Sequence, residues 1–328
     1  MVWLLFIISS AVVVIAAIKL AQYGDVIAVR TKLSGMFIGT LLMAGATSLP
    51  ELLAAVNALS IGAPNLAAGG LFGSSMFNMF MLGVLDLFNQ KTRILRRVAM
   101  NHALTASLAN MLMGLAVFFL LANVDLKLGW VGLDSLLIMI AYVAGVRLLQ
   151  QQGGAPPDAP EIDNEKVPSL KRALFGFALA TLVLVIVTPY LVESANEIAE
   201  ITGLSAGFIG ATLLAITTSL PELVATIAAV QIGAYDLAIG NLFGSNLFNM
   251  FVLGLTDVFY LDGRFLGAID PTFALVALLG LLLTTLGLIG NIARVERRLL
   301  FVEIDALLIL IGYFLGMWFL YSNGIGLS

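Results

Sequence analysis

The amino-acid sequence contains a long internal duplication. Residues 33–86, LSGMFIGTLLMAGATSLPELLAAVNALSIGAPNLAAGGLFGSSMFNMFMLGVLD, align with residues 204–257, LSAGFIGATLLAITTSLPELVATIAAVQIGAYDLAIGNLFGSNLFNMFVLGLTD, and 32 of the 54 paired positions are identical. Each copy is apolar enough to enter a bilayer, yet each carries TSLPE in its middle, at residues 47–51 and 218–222. Any fold for this chain must therefore accommodate a helix breaker and a carboxylate within the membrane, twice and in related settings.

Composition fixes the class of fold. Of the 328 residues, 60% are hydrophobic and 11% charged, whereas about a quarter are charged in soluble domains. A membrane-spanning helix needs about 20 mostly apolar residues. Polar punctuation divides the chain into ten such segments, near 2–23, 34–60, 65–87, 98–122, 129–149, 172–193, 205–231, 236–258, 268–290 and 300–321. The apolar runs are continuous and lack the two-residue alternation of barrel strands, so they read as helices. Each half holds five spans. An odd number makes the halves enter the membrane from opposite sides, the inverted-topology arrangement of many secondary transporters. The expected architecture is an all-α integral membrane protein with ten transmembrane helices in two inverted five-helix repeats. Its first half covers residues 1–149, a linker 150–171 and the second half 172–328.

The charges orient this scheme. Lys19, Arg30, Lys32, Lys91, Arg93, Arg96, Arg97, Arg147, Lys166, Lys171, Arg172, Arg294, Arg297 and Arg298 fall near one face, and only Lys127 and Arg264 near the other. By the positive-inside rule the first face is expected to be cytoplasmic and both termini extracytoplasmic, in a multi-pass protein of the cell membrane. The outer face carries Asp125, Glu193, Glu197, Glu200, Asp257 and Asp262. The first span has no basic leader and fills the place in its half that 172–193 fills in the second, so it reads as a retained helix and not a cleaved signal. The linker is rich in Gly, Pro and acids and reads as flexible, without the spacing of an EF-hand loop. There is no cysteine, which excludes disulfides, thiol catalysis and cysteine metal sites.

Of the twenty acids, only Glu51 and Glu222 lie deep within apolar segments, where an ionised carboxylate costs several kcal/mol unless compensated. No Lys or Arg stands near the middle of any span, so a bound cation or a proton must do this. Pro50 has no N–H for the carbonyl of Ala46, nor Pro221 for that of Thr217, so the helix is expected to open at Ala44 to Thr47 and at the related residues. Ala44, Thr47, Ser48 and Glu51 share a stripe through three- and four-residue spacings, as do Ala215, Thr218, Ser219 and Glu222. The next span of each half carries GSSMFN or GSNLFN, in which Ser74 with Asn78, and Ser245 with Asn249, again face one way. Folded together, the halves would gather only oxygen ligands. Such a set suits calcium and sodium and disfavours zinc and copper.

Other readings compete with this one. Proline kinks and Ser, Thr and Asn side chains also serve packing in membrane bundles. A passive cation channel could use the same carbonyls and carboxylates, although the pseudo-symmetry lies within one chain. An enzyme is disfavoured: the sole histidine, His102, is expected at the cytoplasmic interface, far from Ser74. The Met and Phe stripes of FNMFMLG and FNMFVLG read as packing. The Glu193, Glu197 and Glu200 spacing reads as a solvated helix end.

At the two TSLPE and GS-x-x-F-N motifs the chain resembles the cation/calcium exchanger superfamily, most closely its sodium/calcium exchanger branch. That family has ten helices in two inverted repeats, with G-T-S-x-P-E on the second and seventh and G-S-N-x-x-[N/D] on the third and eighth; the proton/calcium branch typically has G-N-x-x-E instead. The resemblance implies that Glu51 and Glu222 bind calcium with the Thr47 and Thr218 carbonyls. It assigns Ser48, Ser219, Ser74, Ser245 and the Ala44 and Ala215 carbonyls to sodium sites, with Asn78 and Asn249 completing the set. The implied activity is exchange of calcium for sodium by alternating access, with the first and sixth helices sliding past a fixed core. Protons could replace or join sodium. The expected partners are these ions and the lipid bilayer; no cofactor or nucleic acid is expected, and a single chain should suffice. Three departures stand out. The glycine expected before each Thr is Ala46 or Thr217, and GSN is GSS in the first half; both read as mild. The third is the Asn at 249, where the best-known sodium-driven members have aspartate, leaving two fixed negative charges.

Overall fold

The structure, a computed structural model, describes residues 1–30, 44–88, 102–152, 168–231, 233, 235–293, 298–299 and 302–322. The starts of the predicted second and fourth spans, most of the linker and many of the basic residues (Lys32, Lys91, Arg93, Arg96, Arg97, Lys166, Arg294 and Arg297) lie outside that set. The first half contains α1 (Val2–Arg30), α2 (Leu49–Ser60), α3 (Pro64–Phe88), α4 (Ala103–Ala122), a hairpin of β1 (Lys127–Leu128) and β2 (Val131–Gly132), and α5 (Leu133–Gln152). The second contains α6 (Leu170–Thr202), α7 (Ala206–Thr218), α8 (Leu220–Gln231), α9 (Tyr235–Phe259), the short α10 (Phe265–Ala268), α11 (Phe273–Ala293), a hairpin of β3 (Arg298–Leu299) and β4 (Val302–Glu303), and α12 (Ile304–Ser322).

A shift of 171 residues carries α2 onto α8, α3 onto α9 and one hairpin onto the other without a residue of slippage. The hairpin registers agree too: Lys127 pairs with Gly132 as Arg298 does with Glu303. The recurrence of structure thus extends well past the segments duplicated in sequence. Among the described residues seven helices are long and apolar enough to cross a membrane, and the α7–α8 pair, bent by 42°, is an eighth candidate. Leu49–Ser60 and Phe273–Ile289 are apolar but shorter within the described range.

The most buried spans, α3 and α9, form the centre. Around α3 pack α2, α7, α9, α11 and α12, and around α9 pack α3, α4, α5 and α8. The halves are interlocked, because α5 of the first covers α9 of the second while α12 of the second covers α3 of the first. To one side α1 and α6 lie along each other and meet the rest mainly through α2, α7 and α8. Small residues bring the central backbones together. At Gly73 an added Cβ would lie 2.5 Å from the Ala211 Cα, so no side chain fits where α3 crosses α7. The methionines of the FNMFMLG and FNMFVLG stripes, Met79, Met81 and Met250, are buried core. His102, expected at an interface, is buried against α9, where a Cβ on Gly240 would meet its ring.

Two charges read as outer-face residues are also buried. Asp257 is 0% exposed and Arg264 5%, and Arg264 meets Asp134, which is 2% exposed. Arg264 Nη1 donates to Asp134 Oδ2 at 2.6 Å, and its Nη2 donates to Asn123 Oδ1. Asp257 accepts the backbone N–H groups of Gly132, at 2.6 Å, and of Phe265. Together they clamp the β2–α5 corner of the first half to the α9–α10 corner of the second. Losing one partner of a buried ion pair strands the other, at a typical cost of about 3–5 kcal/mol, whereas replacing both with apolar groups is often neutral. Arg264→Met should therefore lower the unfolding temperature of the detergent-solubilised protein markedly, and adding Asp134→Leu should restore most of it. An Arg264→Met protein that melts with the wild type would show that the clamp does not hold the halves.

Candidate cation-binding site

Both TSLPE motifs break a helix at their serine. Ser48 has φ −90° and ψ 9°, Ser219 φ −91° and ψ 2°, and a new helix starts at the following leucine with proline as its second residue. Proline is tolerated there because a first-turn N–H has no helical partner. The break is thus a stop and restart, not a kink in a continuous span. In the second half it is preceded by a π-helical turn, Gly210–Leu214, a feature that is rare in helices and recurs at functional sites.

The opening begins slightly later than expected. The Ala44 carbonyl still accepts Ser48 N–H at 2.9 Å and the Thr47 hydroxyl at 3.2 Å. The Ala215 carbonyl likewise accepts Ser219 N–H at 3.0 Å and the Thr218 hydroxyl at 3.4 Å. A cation reaching either alanine carbonyl in this conformation would have to displace a threonine hydroxyl. The carbonyls that lose their helical donor are those of Ala46 and Thr217, opposite the prolines.

Because each serine leaves the helical path, its side chain can cross to the other half. Ser48 Oγ donates to Glu222 Oε1 at 2.9 Å, and Ser219 Oγ donates to Glu51 Oε1 at 3.0 Å. Ser74 adds a longer bond to Glu51 Oε1 at 3.4 Å. Ser245 lies near the Glu222 carboxylate, and its hydroxyl makes no hydrogen bond. All of these residues are buried. The second oxygen of each glutamate, Oε2, has no donor, and neither has Oδ1 of Asn78 or of Asn249. Buried acceptors without partners are rare in proteins and need an explanation.

The amides form a second layer. Asn78 Nδ2 donates to Asn246 Oδ1 at 2.9 Å, and Asn246 Nδ2 donates to the Ser75 carbonyl at 3.2 Å and to Thr284 Oγ1 at 3.4 Å. Asn241 Nδ2 holds the Glu222 carbonyl at 3.2 Å and Thr226 Oγ1 at 3.0 Å. Asn241, Asn246, Thr226 and Thr284 were not among the residues singled out from the sequence. Among the described residues no group of three or more His, Cys, Asp or Glu side chains converges, so any cation here meets two carboxylates and otherwise neutral oxygens. Oxygen-only coordination of that kind suits hard ions.

Comparison with known proteins agrees with this chemistry. The family model described as sodium/calcium exchanger protein matches residues 1–149 and 172–322. The chain belongs to the sodium/calcium exchanger family. It is 30% identical over 305 residues to the putative antiporter CaxA of Alkalimonas amylolytica, covering 89% of this chain and 92% of that one. Its fold is similar to that of an H+/Ca2+ exchanger CAX, with a TM-score of 0.69, 14% identity, and 99% and 89% of the two chains covered. It is likewise similar to the sodium-calcium exchanger NCX_Mj, with a TM-score of 0.62, 23% identity, and 97% and 99% covered. Membership in the sodium/calcium exchanger family makes the chain a helical membrane protein of a transporter family.

The crossed bonds make a specific expectation for this exchanger-family site. A hydrogen bond to a charged group contributes about 1.5–3 kcal/mol, and groups in one network couple non-additively. Ser48→Ala should destabilise the protein, Glu222→Gln should shift the effect of that change, and the double variant should lose less than the sum. Unfolding temperatures of the four proteins of the cycle measure it; additive losses would mean that Ser48 and Glu222 do not interact in solution.

Proposed function

We propose that the protein is a secondary active antiporter that exchanges calcium for sodium by alternating access. What carries the reading is the pair of crossed glutamates, each leaving one buried carboxylate oxygen without a donor, while the amide oxygens of Asn78 and Asn249 are likewise buried and without one. Glu51 and Glu222 are its calcium ligands, helped by the Thr47 and Thr218 carbonyls. Ser48, Ser219, Ser74 and Ser245, with the Ala44 and Ala215 carbonyls as the threonine hydroxyls turn away, serve sodium. In this reading the chain spans the cell membrane ten times as two inverted repeats, with both termini outside, and works as a single chain. The loose association of α1 and α6 with the centre supports their role as the sliding pair.

A proton/calcium antiporter is the second reading, favoured by the fold shared with an H+/Ca2+ exchanger and by the absence of a third acid at Asn249. The two are separated in proteoliposomes by imposing sodium and pH gradients one at a time and following radioactive calcium. Sodium-driven uptake, abolished in Glu51→Gln and in Glu222→Gln, is the expected result; uptake driven by pH alone would move the assignment to protons, and uptake unchanged in both variants would end it.

Charge counting adds a further prediction. Two fixed carboxylates are neutralised by one calcium and equally by two monovalent cations, so neither loaded form moves net charge. Each uncompensated charge would feel about 2.3 kcal/mol per 100 mV. Calcium flux should therefore be nearly independent of an imposed membrane potential, and a flux that changes several-fold on reversing its sign would require a third cation.

A further inference from the structure

The 171-residue shift places Ser75 opposite Asn246, the one position within the GS-x-x-F-N motifs where a hydroxyl faces an amide. The two residues are bonded very differently. Ser75 turns its hydroxyl back to the Leu71 carbonyl of its own helix at 3.3 Å. Asn246, 0% exposed, reaches into the other half. The Ser75 carbonyl can only accept, so Asn246 must present its Nδ2 there, as it also does toward Thr284. Its Oδ1 is thereby directed at Asn78, which must answer with its own Nδ2 at 2.9 Å. The Oδ1 of Asn78 is then left as a buried acceptor without a donor. Amide orientation is set by such networks, and here one carbonyl fixes two amides in turn.

Nothing equivalent exists for Asn249. Its related partner is Ser75, which is turned away, and the position related to Thr284 is Met113, which offers no hydroxyl. Its Oδ1 also has no donor, and among the described residues its amide is held by no hydrogen bond.

We infer that Asn246 is a positioning residue for the cation site: through the Ser75 carbonyl, Asn246 and Asn78 it holds the Asn78 oxygen toward the ion, while the Asn249 amide stays free to turn. The inference rests on the cation-site reading given above. It makes the two motifs unequal in function, a fixed ligand in the first half and an adjustable one in the second. Asn246 touches no ion itself and acts only through Asn78.

The test is a cycle of wild type, Asn246→Ser, Asn78→Ala and the double variant in proteoliposomes, with KM for calcium, maximal flux and unfolding temperature read separately. Asn246→Ser copies the residue of the first half and removes the relay. Substituting a residue that orients a ligand typically weakens metal binding about 10–100-fold, so KM should rise about tenfold or more. In the Asn78→Ala background the same change should leave KM where Asn78→Ala alone puts it. A lower unfolding temperature with an unchanged KM, or KM effects that multiply in the double variant, would overturn the relay. Should Asn246→Ser fail to reach the membrane, Thr284→Val, which removes one of the two acceptors fixing the Asn246 amide, must raise KM by a smaller factor, and an unchanged KM there also overturns it. A wild-type protein that neither transports calcium nor is stabilised by it overturns both the relay and the cation-site reading, whereas calcium transport with an unaltered Asn246→Ser overturns the relay alone.

Discussion

The crossed hydrogen bonds from Ser48 to Glu222 and from Ser219 to Glu51 are the interaction on which the rest of the structure depends. A carboxylate within an apolar span is costly wherever it stands, and the shorter hydrogen bond to each glutamate comes from the other half. Each needs a serine that has left the helical path, and that serine is available only because proline forces a restart beside it. The proline, the serine and the glutamate of TSLPE are therefore one device in each half, and the device works only when the other half supplies its counterpart. This requires the two halves to pack closely, as they do at the crossing of Gly73 and Ala211, which has no room for a Cβ.

Satisfying one carboxylate oxygen and leaving the other open suits a site of the proposed kind, which must release what it binds. A fully bonded glutamate would have no capacity for an ion, and a fully bare one would be too costly to bury. The serine hydroxyls supply donors that can rotate away, since a hydroxyl can act as donor or acceptor. The threonine hydroxyls on the Ala44 and Ala215 carbonyls have the same property. The hydrogen bonds seen at the site are thus compatible with exchange between protein donors and cations.

Much of this was legible in the sequence, because the duplication multiplies weak signals. A lone Ser, Thr or Asn in a membrane helix says little, but a proline and a buried glutamate repeated at the same offset in both halves say that the position is used. The exchanger-family membership, the helical membrane fold and the grouping of Glu51, Glu222, Ser48, Ser219 and Ser74 all rest on that repetition. Less legible was what the differences between the copies do. The change from GSS to GSN read as mild, yet Asn246 is the residue through which the second half grips Asn78, and its amide reaches atoms 168, 171 and 38 residues away. No local pattern encodes such distances. The burial of Arg264 and Asp257 was not legible for a similar reason, since their partners, Asp134 for the one and the Gly132 and Phe265 N–H groups for the other, come from other segments of the chain. A signal was present: the Asp257 to Arg264 spacing recurs as Asp86 to Arg93, and Asp134 recurs as Asp305.

Duplication and its imperfections have opposite consequences for a transporter of the proposed kind. In an inverted repeat, exchanging the conformations of the two halves converts a state open to one side into a state open to the other, so identical halves would give two states of equal energy. The observed differences break that equality. Asn246 replaces Ser75, Thr217 replaces Ala46 and comes within 3.5 Å of the Ser10 hydroxyl on α1, and Asn241 replaces Gly70. Each substitution adds a polar contact to one half that the other cannot make, and a difference of 1.4 kcal/mol between two states shifts their ratio about tenfold. In a transporter of that kind a handful of such contacts would be enough to set which side the empty site faces.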